Sequence, residues 1–236
     1  MKLRILSLVI LVSGAALFAG SIIKGQKSRK KSPTVSRSFV VQYLLSHTDN
    51  GGGLTPYEYD ARAVGSTGEW KETRYSFKGS VSTWGGTSDG LYTVSGALKQ
   101  YLGDYNLESA RAGTWTEQEF TSSPQFVRSE ELLGLRTFVM KDAAGDMEIE
   151  INSSPETGIT PLKKVIRSRS GDGNDFVDVK EAISIQFRDL SEDEVRLPDL
   201  PVRFDIAEEK ARSLKAAGQY ERSEALEQAI QRLSVK

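Results

Sequence analysis

The sequence predicts an α+β protein that is mostly β: a curved antiparallel sheet, half-barrel-like, with a few helices and a C-terminal helical hairpin. Three observations predict it. Between Gly134 and Arg188 four successive segments alternate with a period of two and are separated by turn residues, the pattern of antiparallel strands with one wet face. Residues 39–94 carry a second run of alternating segments broken by glycine-rich turns. Residues 205–236 change to helical spacing.

The chain has 236 residues, 38% hydrophobic and 27% charged, enough for a sizeable core and far from a disordered composition. Its net charge of −1 hides an asymmetry: residues 1–40 hold eight basic groups and no acid, which leaves 23 basic against 32 acidic groups in the rest. An acidic body argues against nucleic acid as a partner, since phosphate binding needs a basic footprint. The absence of cysteine excludes disulfides, cysteine nucleophiles and thiolate metal sites.

Residues 1–24 read as a signal peptide or a membrane anchor. Lys2 and Arg4 precede Ile5–Ile23, a charge-free run long enough to span a bilayer, which would attach the chain to the membrane if it is not cleaved. The basic cluster Lys24–Lys31 favours a cytoplasmic C-terminal side; the short basic start followed at once by the apolar run is the export pattern. The expected location is the periplasm or the outer face of the inner membrane. Residues 25–38, basic and polar, read as a flexible linker.

Residues 39–204 read as the antiparallel sheet domain. Phe39–Ser46, Tyr57–Val64, Glu69–Phe77, Ser80–Trp84 and Gly90–Val94 are strand-like, with Gly65-Ser66-Thr67-Gly68 as a turn and Gly85-Gly86 as punctuation. Ser95–Gly103 predicts a short helix capped by Ser95, residues 104–128 show no clean period, and Ser129–Gly134 predicts one helical turn closed by glycine. In the meander that follows, alternation places Ile149, Ile183, Ile185 and Phe187 inside and Glu148, Glu150 and Gln186 outside. Asp189–Asp205 is a connector. Residues 205–236 form the helical hairpin, Asp205–Ala217 and Tyr220–Leu233.

The order Glu131–Val139, Glu148–Ile151, the Pro155-Glu156-Thr157-Gly158 turn and Ile159–Lys163 resembles exported bacterial domains of the lipoprotein-carrier (LolA-like) type. The resemblance spans about residues 36–205 and implies a curved antiparallel sheet wrapped over helices, with an apolar concave face. It does not carry over lipoprotein transport. The C-terminal pair, with Ala211, Leu214, Gly218 and Tyr220, is similar to a single tetratricopeptide hairpin.

No catalytic constellation stands out. His47, the only histidine, is expected at an exposed strand end, without a nucleophile elbow to serve. Asp172-Gly173-Asn174-Asp175 reads as a turn, because its spacing fails the EF-hand loop. No catalytic residue, metal or cofactor is assigned. The aromatic residues between Tyr57 and Tyr92 exceed what strand pairing needs, and Tyr75 and Phe77 are the candidate ligand-binding residues, lining an apolar groove. Alternation puts Trp70 on the opposite face. The expected function is an exported, non-enzymatic binding domain for an apolar ligand or a protein partner in the cell envelope. The alternatives are a membrane-anchored interaction module acting through the C-terminal helices, and a carboxylate-based hydrolase.

Overall fold

A computed structural model describes residues 37–48, 53–169 and 175–205, with 207–208, 228 and 231 beyond them. The apolar run 5–23, the linker up to residue 36, the Asp172–Asn174 turn and the C-terminal hairpin, with its tetratricopeptide likeness, lie outside the described residues. No described helix is long and apolar enough to cross a membrane.

Two meanders make the fold. The first runs β1 (Phe39–Thr48), β2 (Thr55–Val64), β3 (Trp70–Ser76), β4 (Val81–Thr87), β5 (Gly90–Ser95) and β6 (Leu98–Gly103). The second runs β7 (Phe126–Leu132), β8 (Leu135–Ala144), β9 (Met147–Ser153), β10 (Lys163–Arg169) and β11 (Asp175–Phe187). They join where β1 pairs with β11, so that with β12 (Val202–Arg203) the described residues form one open curved sheet of 12 strands. All described pairings are antiparallel except β12 with β6.

One face of the sheet, the inner face here, carries most of the core. Phe39, Val41, Tyr43 and Leu45 of β1 are fully buried on it with Val64, Trp70 and Trp84. A second cluster lies on the same face further along, where Phe138, Met140, Ile149, Ile151 and Ile166 meet Trp115 and Phe120. The covering layer comes from residues 104–125, which hold two short helices, α1 (Leu107–Ala110) and α2 (Glu117–Thr121). Thr116 caps α2 through a reciprocal bond with Glu119, and Phe120 stacks on Phe138 at 5.3 Å. A third helix, α3 (Glu192–Val195), leads the chain over the other face, where Leu197 packs with Tyr92 and Tyr101.

Several sequence expectations are corrected. Ser95–Gly103 is not a helix: Gly96 has φ +60, the chain reverses in a tight turn, and β6 pairs back on β5 from Ser95–Leu98 onward. Ser129–Gly134 is not a helical turn either. Leu133 (φ +53) and Gly134 (φ +76) close a two-residue hairpin between β7 and β8, the positive-φ pair that matches strand twist. Gly85-Gly86 do not end a strand; β4 runs straight through them.

The one-wet-face pattern fails at β8, where Thr137, Phe138, Val139 and Met140 are all buried. The reason is that β7 side chains reach across β8 to β9: Arg128 pairs with Glu150 at 2.9 Å and Asn152 donates to Glu130. Their aliphatic stems roof the strand between them.

Ile149 is buried, and Ile185 and Phe187 pack against the first core cluster, as alternation requires. Glu148, Glu150 and Gln186 are not buried. Ile183 breaks the pattern at 50% exposure. Gln42 pairs with Ser184 and Tyr43 with Ala182, so Ile183 is the extra residue of a β-bulge and Ala182 takes the inward place. Replacing Ile183 by Thr should therefore change stability by no more than about 0.5 kcal/mol, and Ile185→Ala should cost about 1–2 kcal/mol, less than a fully buried isoleucine. Urea midpoints of the two variants check this; equal losses would place the bulge elsewhere.

Candidate functional site

The centre of the inner face is not apolar. Register sets Asp60 opposite Arg74 and Arg62 opposite Glu72 across β2 and β3, and the strand alternation that buries Val64 and Trp70 buries Asp60, Glu72 and Arg74 and half-buries Arg62. Asp60, 0% exposed, accepts from Arg74 Nε at 2.8 Å, from Arg74 Nη2 at 3.0 Å and from Lys180 Nζ at 2.7 Å. Glu72 accepts from Arg62 Nε at 2.6 Å and lies 2.8 Å from Lys180 Nζ. Lys180 belongs to β11, so its bonds to β2 and β3 pass over β1, with Nζ 4.3 Å above the Tyr43 ring. Tyr43 donates its hydroxyl to the Pro161 carbonyl at 2.8 Å. Arg62 and Arg74 also lie over Trp70 and Trp84.

These charges settle each other's protonation. Burial works against the Glu72 carboxylate, yet Arg62 and Lys180 outweigh it and hold its pKa well below the usual range. Burial works against the Arg74 cation too, and Asp60 more than restores it. The sequence reading missed this network. Its trace is legible in hindsight: Asp60 and Arg62 share the phase of Val64, while Glu72 and Arg74 share that of Trp70, with opposite signs on consecutive strands.

Beside the network lies a shallow, solvent-open cleft of about 10 Å³, room for roughly one water, lined by Leu45, Tyr57, Lys164, Ile166, Asp178, Val179 and Lys180. Lys164 is buried in its wall. Burial, with help from Lys180 nearby, pushes the Lys164 ammonium down to about 8. Burial raises the Asp178 carboxyl, to which Tyr57 donates at 3.5 Å. His47 sits at the strand end as expected, but half-buried between Tyr57 and Phe176, with ring centroids at 5.0 and 6.3 Å.

The Lys164 pKa makes stability rise with pH. In the unfolded chain the lysine keeps its proton to about 10.5, and in the fold only to about 8. Between those values the unfolded state binds more protons, so raising the pH favours the fold, by something of the order of 1–3 kcal/mol. Above pH 10 the sign reverses, because burial holds Tyr43, Tyr57 and Tyr105 protonated while the unfolded tyrosines ionise near 10.0. Urea midpoints should climb from pH 8 to near 10 and then fall, and Lys164→Met should flatten the climb. A midpoint that drops steadily from pH 8 would refute it.

The opposite face carries the other candidate. Leu44, Tyr59, Tyr75 and Val81 stand in direct register across β1, β2, β3 and β4. Tyr75 is 45% and Val81 60% exposed, and the Tyr59 and Tyr75 rings lie 6.1 Å apart. Phe77, 64% exposed, sits just past β3 in the turn to β4, its N–H on the Tyr57 carbonyl. Trp70 is buried on the inner face, opposite Tyr75, as alternation requires. Tyr75 and Phe77 thus border an open surface rather than the cleft, which neither of them lines.

No family model matches the chain, and no curated protein sequence matches it. Among solved structures it is similar in fold to a LolA superfamily protein from Nitrosomonas europaea, at 13% identity over 76% of this chain and 97% of that one, with a TM-score of 0.37. It is also similar to MucB in the MucA/MucB complex of Pseudomonas aeruginosa, at 16% identity over 70% and 56% of the two chains, TM-score 0.39. A third is PNGF-II, at 11% identity over 74% of this chain, TM-score 0.39; the chain spans about a third of that protein, 33% of its length. A LolA superfamily protein, of the type the sequence resembles, is among the solved structures found similar.

Proposed function

We propose that the chain is a non-enzymatic binding domain of the cell envelope that holds an apolar segment of a protein partner against the row Leu44–Tyr59–Tyr75–Val81, with Phe77 at its margin. The row is the observation that carries this reading: four large side chains in register on a face the fold leaves open. Tyrosine gives rigid contact area with a polar tip and is enriched at such surfaces. A flat row suits a strand or helix of a partner, whereas a free lipid calls for enclosure beyond the roughly 300 Å³ at which ligand pockets begin. The buried carboxylates Asp60 and Glu72 are held by Arg74, Arg62 and Lys180 in ion pairs, an arrangement for structure rather than for proton transfer. The envelope location rests on the basic start followed by Ile5–Ile23.

A photo-crosslinking residue placed at Tyr75 or Val81 of the full chain in cells should give one discrete adduct in the envelope fraction, and the same residue at Glu148 should give none. Equal labelling from all three positions would sink the proposal. Saturable binding of a fluorescent fatty-acid analogue, weakened by Phe77→Ala, would move the reading to an apolar small ligand.

A further inference from the structure

The two edges of the sheet differ. One ends at β6, where β12 lies alongside Lys99 and Gln100. The other ends at β7, and among the described residues no strand lies beyond it. We propose that β7 is an interface between two copies of this chain, paired antiparallel about a twofold axis at Ser129, so that two sheets join into one.

Backbone direction makes β7 a template. Across the two-residue turn Leu133–Gly134, Leu132 and Leu135 are the closing hydrogen-bonded pair. Counting back by twos, Glu130 and Arg128 bond to β8, while Ser129 and Glu131 turn their N–H and C=O groups to the open edge. Val127, Ser129 and Glu131 are exposed, and Leu133 beside them is exposed too.

Sheets guard such an edge with charge, and β7 carries Arg128, Glu130 and Glu131. Here the charges select the occupant. With the axis on Arg128, Glu130 or Glu131, that residue meets its own copy, and like charges directly opposite destabilise the pair. With the axis on Ser129, Arg128 stands opposite the partner's Glu130, and Glu130 opposite the partner's Arg128. The two serines exchange both backbone bonds, and Val127 faces Glu131. Arg-Ser-Glu is thus complementary to itself read backwards, the requirement of an isologous contact, and the pairing closes at two. Within its own chain Arg128 reaches Glu130 at 3.2 Å and Glu150 at 2.9 Å, and Glu130 accepts from Asn152. The Arg128 side chain is nevertheless 48% and that of Glu130 35% exposed, which leaves each a side for the partner.

The chain has no cysteine, so single cysteines report the register in the full chain, kept in mild detergent. On the axis the two Cα atoms of residue 129 would lie about 5.5 Å apart, within disulfide reach. The two copies of residue 131 would lie four residues apart along the strand, about 13 Å. Under mild oxidation Ser129→Cys should give a linked dimer, and Glu131→Cys at least about fivefold less. Arg128→Glu should cut the Ser129→Cys dimer at least about fivefold, and adding Glu130→Arg should restore it. The comparison of positions 129 and 131 stands whether or not Arg128→Glu folds. No linked dimer, equal linking from 129 and 131, or a folded Arg128→Glu variant that links as well as its parent would each overturn the proposal.

Discussion

Asp60→Ala should destabilise the protein by about 3–5 kcal/mol, enough to leave a marginal fold largely unfolded. The carboxylate has no exposure and holds three short bonds from two cations. Removing it strands the Arg74 guanidinium beside only Glu58, at 3.3 Å, and Lys180 beside only Glu72. Both cations are about nine-tenths buried, so water compensates them only in part and most of the desolvation already incurred remains. Lys180→Met should cost less, because Asp60 keeps Arg74 and Glu72 keeps Arg62. Arg196→Ala, which breaks an exposed pair with Glu192, should stay within about 0.5 kcal/mol. Urea unfolding of the three variants gives the ranking. An Asp60→Ala loss under about 1 kcal/mol would mean that the network is hydrated and contributes little.

Gly86→Val should cost about 3 kcal/mol, at the upper end of what overpacking does. A Cβ at this position would stand 2.5 Å from Trp70 Nε1 and 2.6 Å from Tyr105 Cε1, both rings held in the first core cluster. Gly85 is confined on the other face, where a Cβ would meet Leu197 and the Trp70 carbonyl, each at 2.7 Å. The two glycines let β4 be covered closely on both faces. Gly53→Ala, with open space around its Cβ position, should be neutral within about 0.5 kcal/mol. Thermal unfolding of Gly86→Val against that control decides it, and similar melting points would show that the rings can give way.

The strands β1–β5 and β8–β11, the Gly65–Gly68 turn and the opposition of Trp70 to Tyr75 were legible because each follows from alternation within one segment. What escaped depends on neighbours. Leu98, Tyr101 and Leu102 suit a helix face as well as a strand, and only the Gly96 turn and the β5 partner decide between them. The bulge at Ile183 is set by where β1 sits, which the local pattern of β11 does not encode. The glycines of β4 looked like breakers because the rings that need their space lie at Trp70 and Tyr105. The charge network was hardest, since Asp60, Arg62, Glu72 and Arg74 look like a solvated face until β11 brings Lys180 across β1. Tyr75 and Phe77 are exposed, and alternation alone does not say whether the face they border is open or covered.

The seam between β1 and β11 also bears on how the chain matures. Ser184 and Gln42, bonded across it, are 142 positions apart. During synthesis β1 emerges first and can zip with β2 alone. Its other edge, rich in valine and leucine, stays open until β11 leaves the ribosome, and until then Asp60 lacks one of its two cations. Such distant pairing is slow to nucleate and leaves a sticky intermediate in the meantime. The rate at which the two meanders meet, rather than the folding of either one, then governs the yield of native protein.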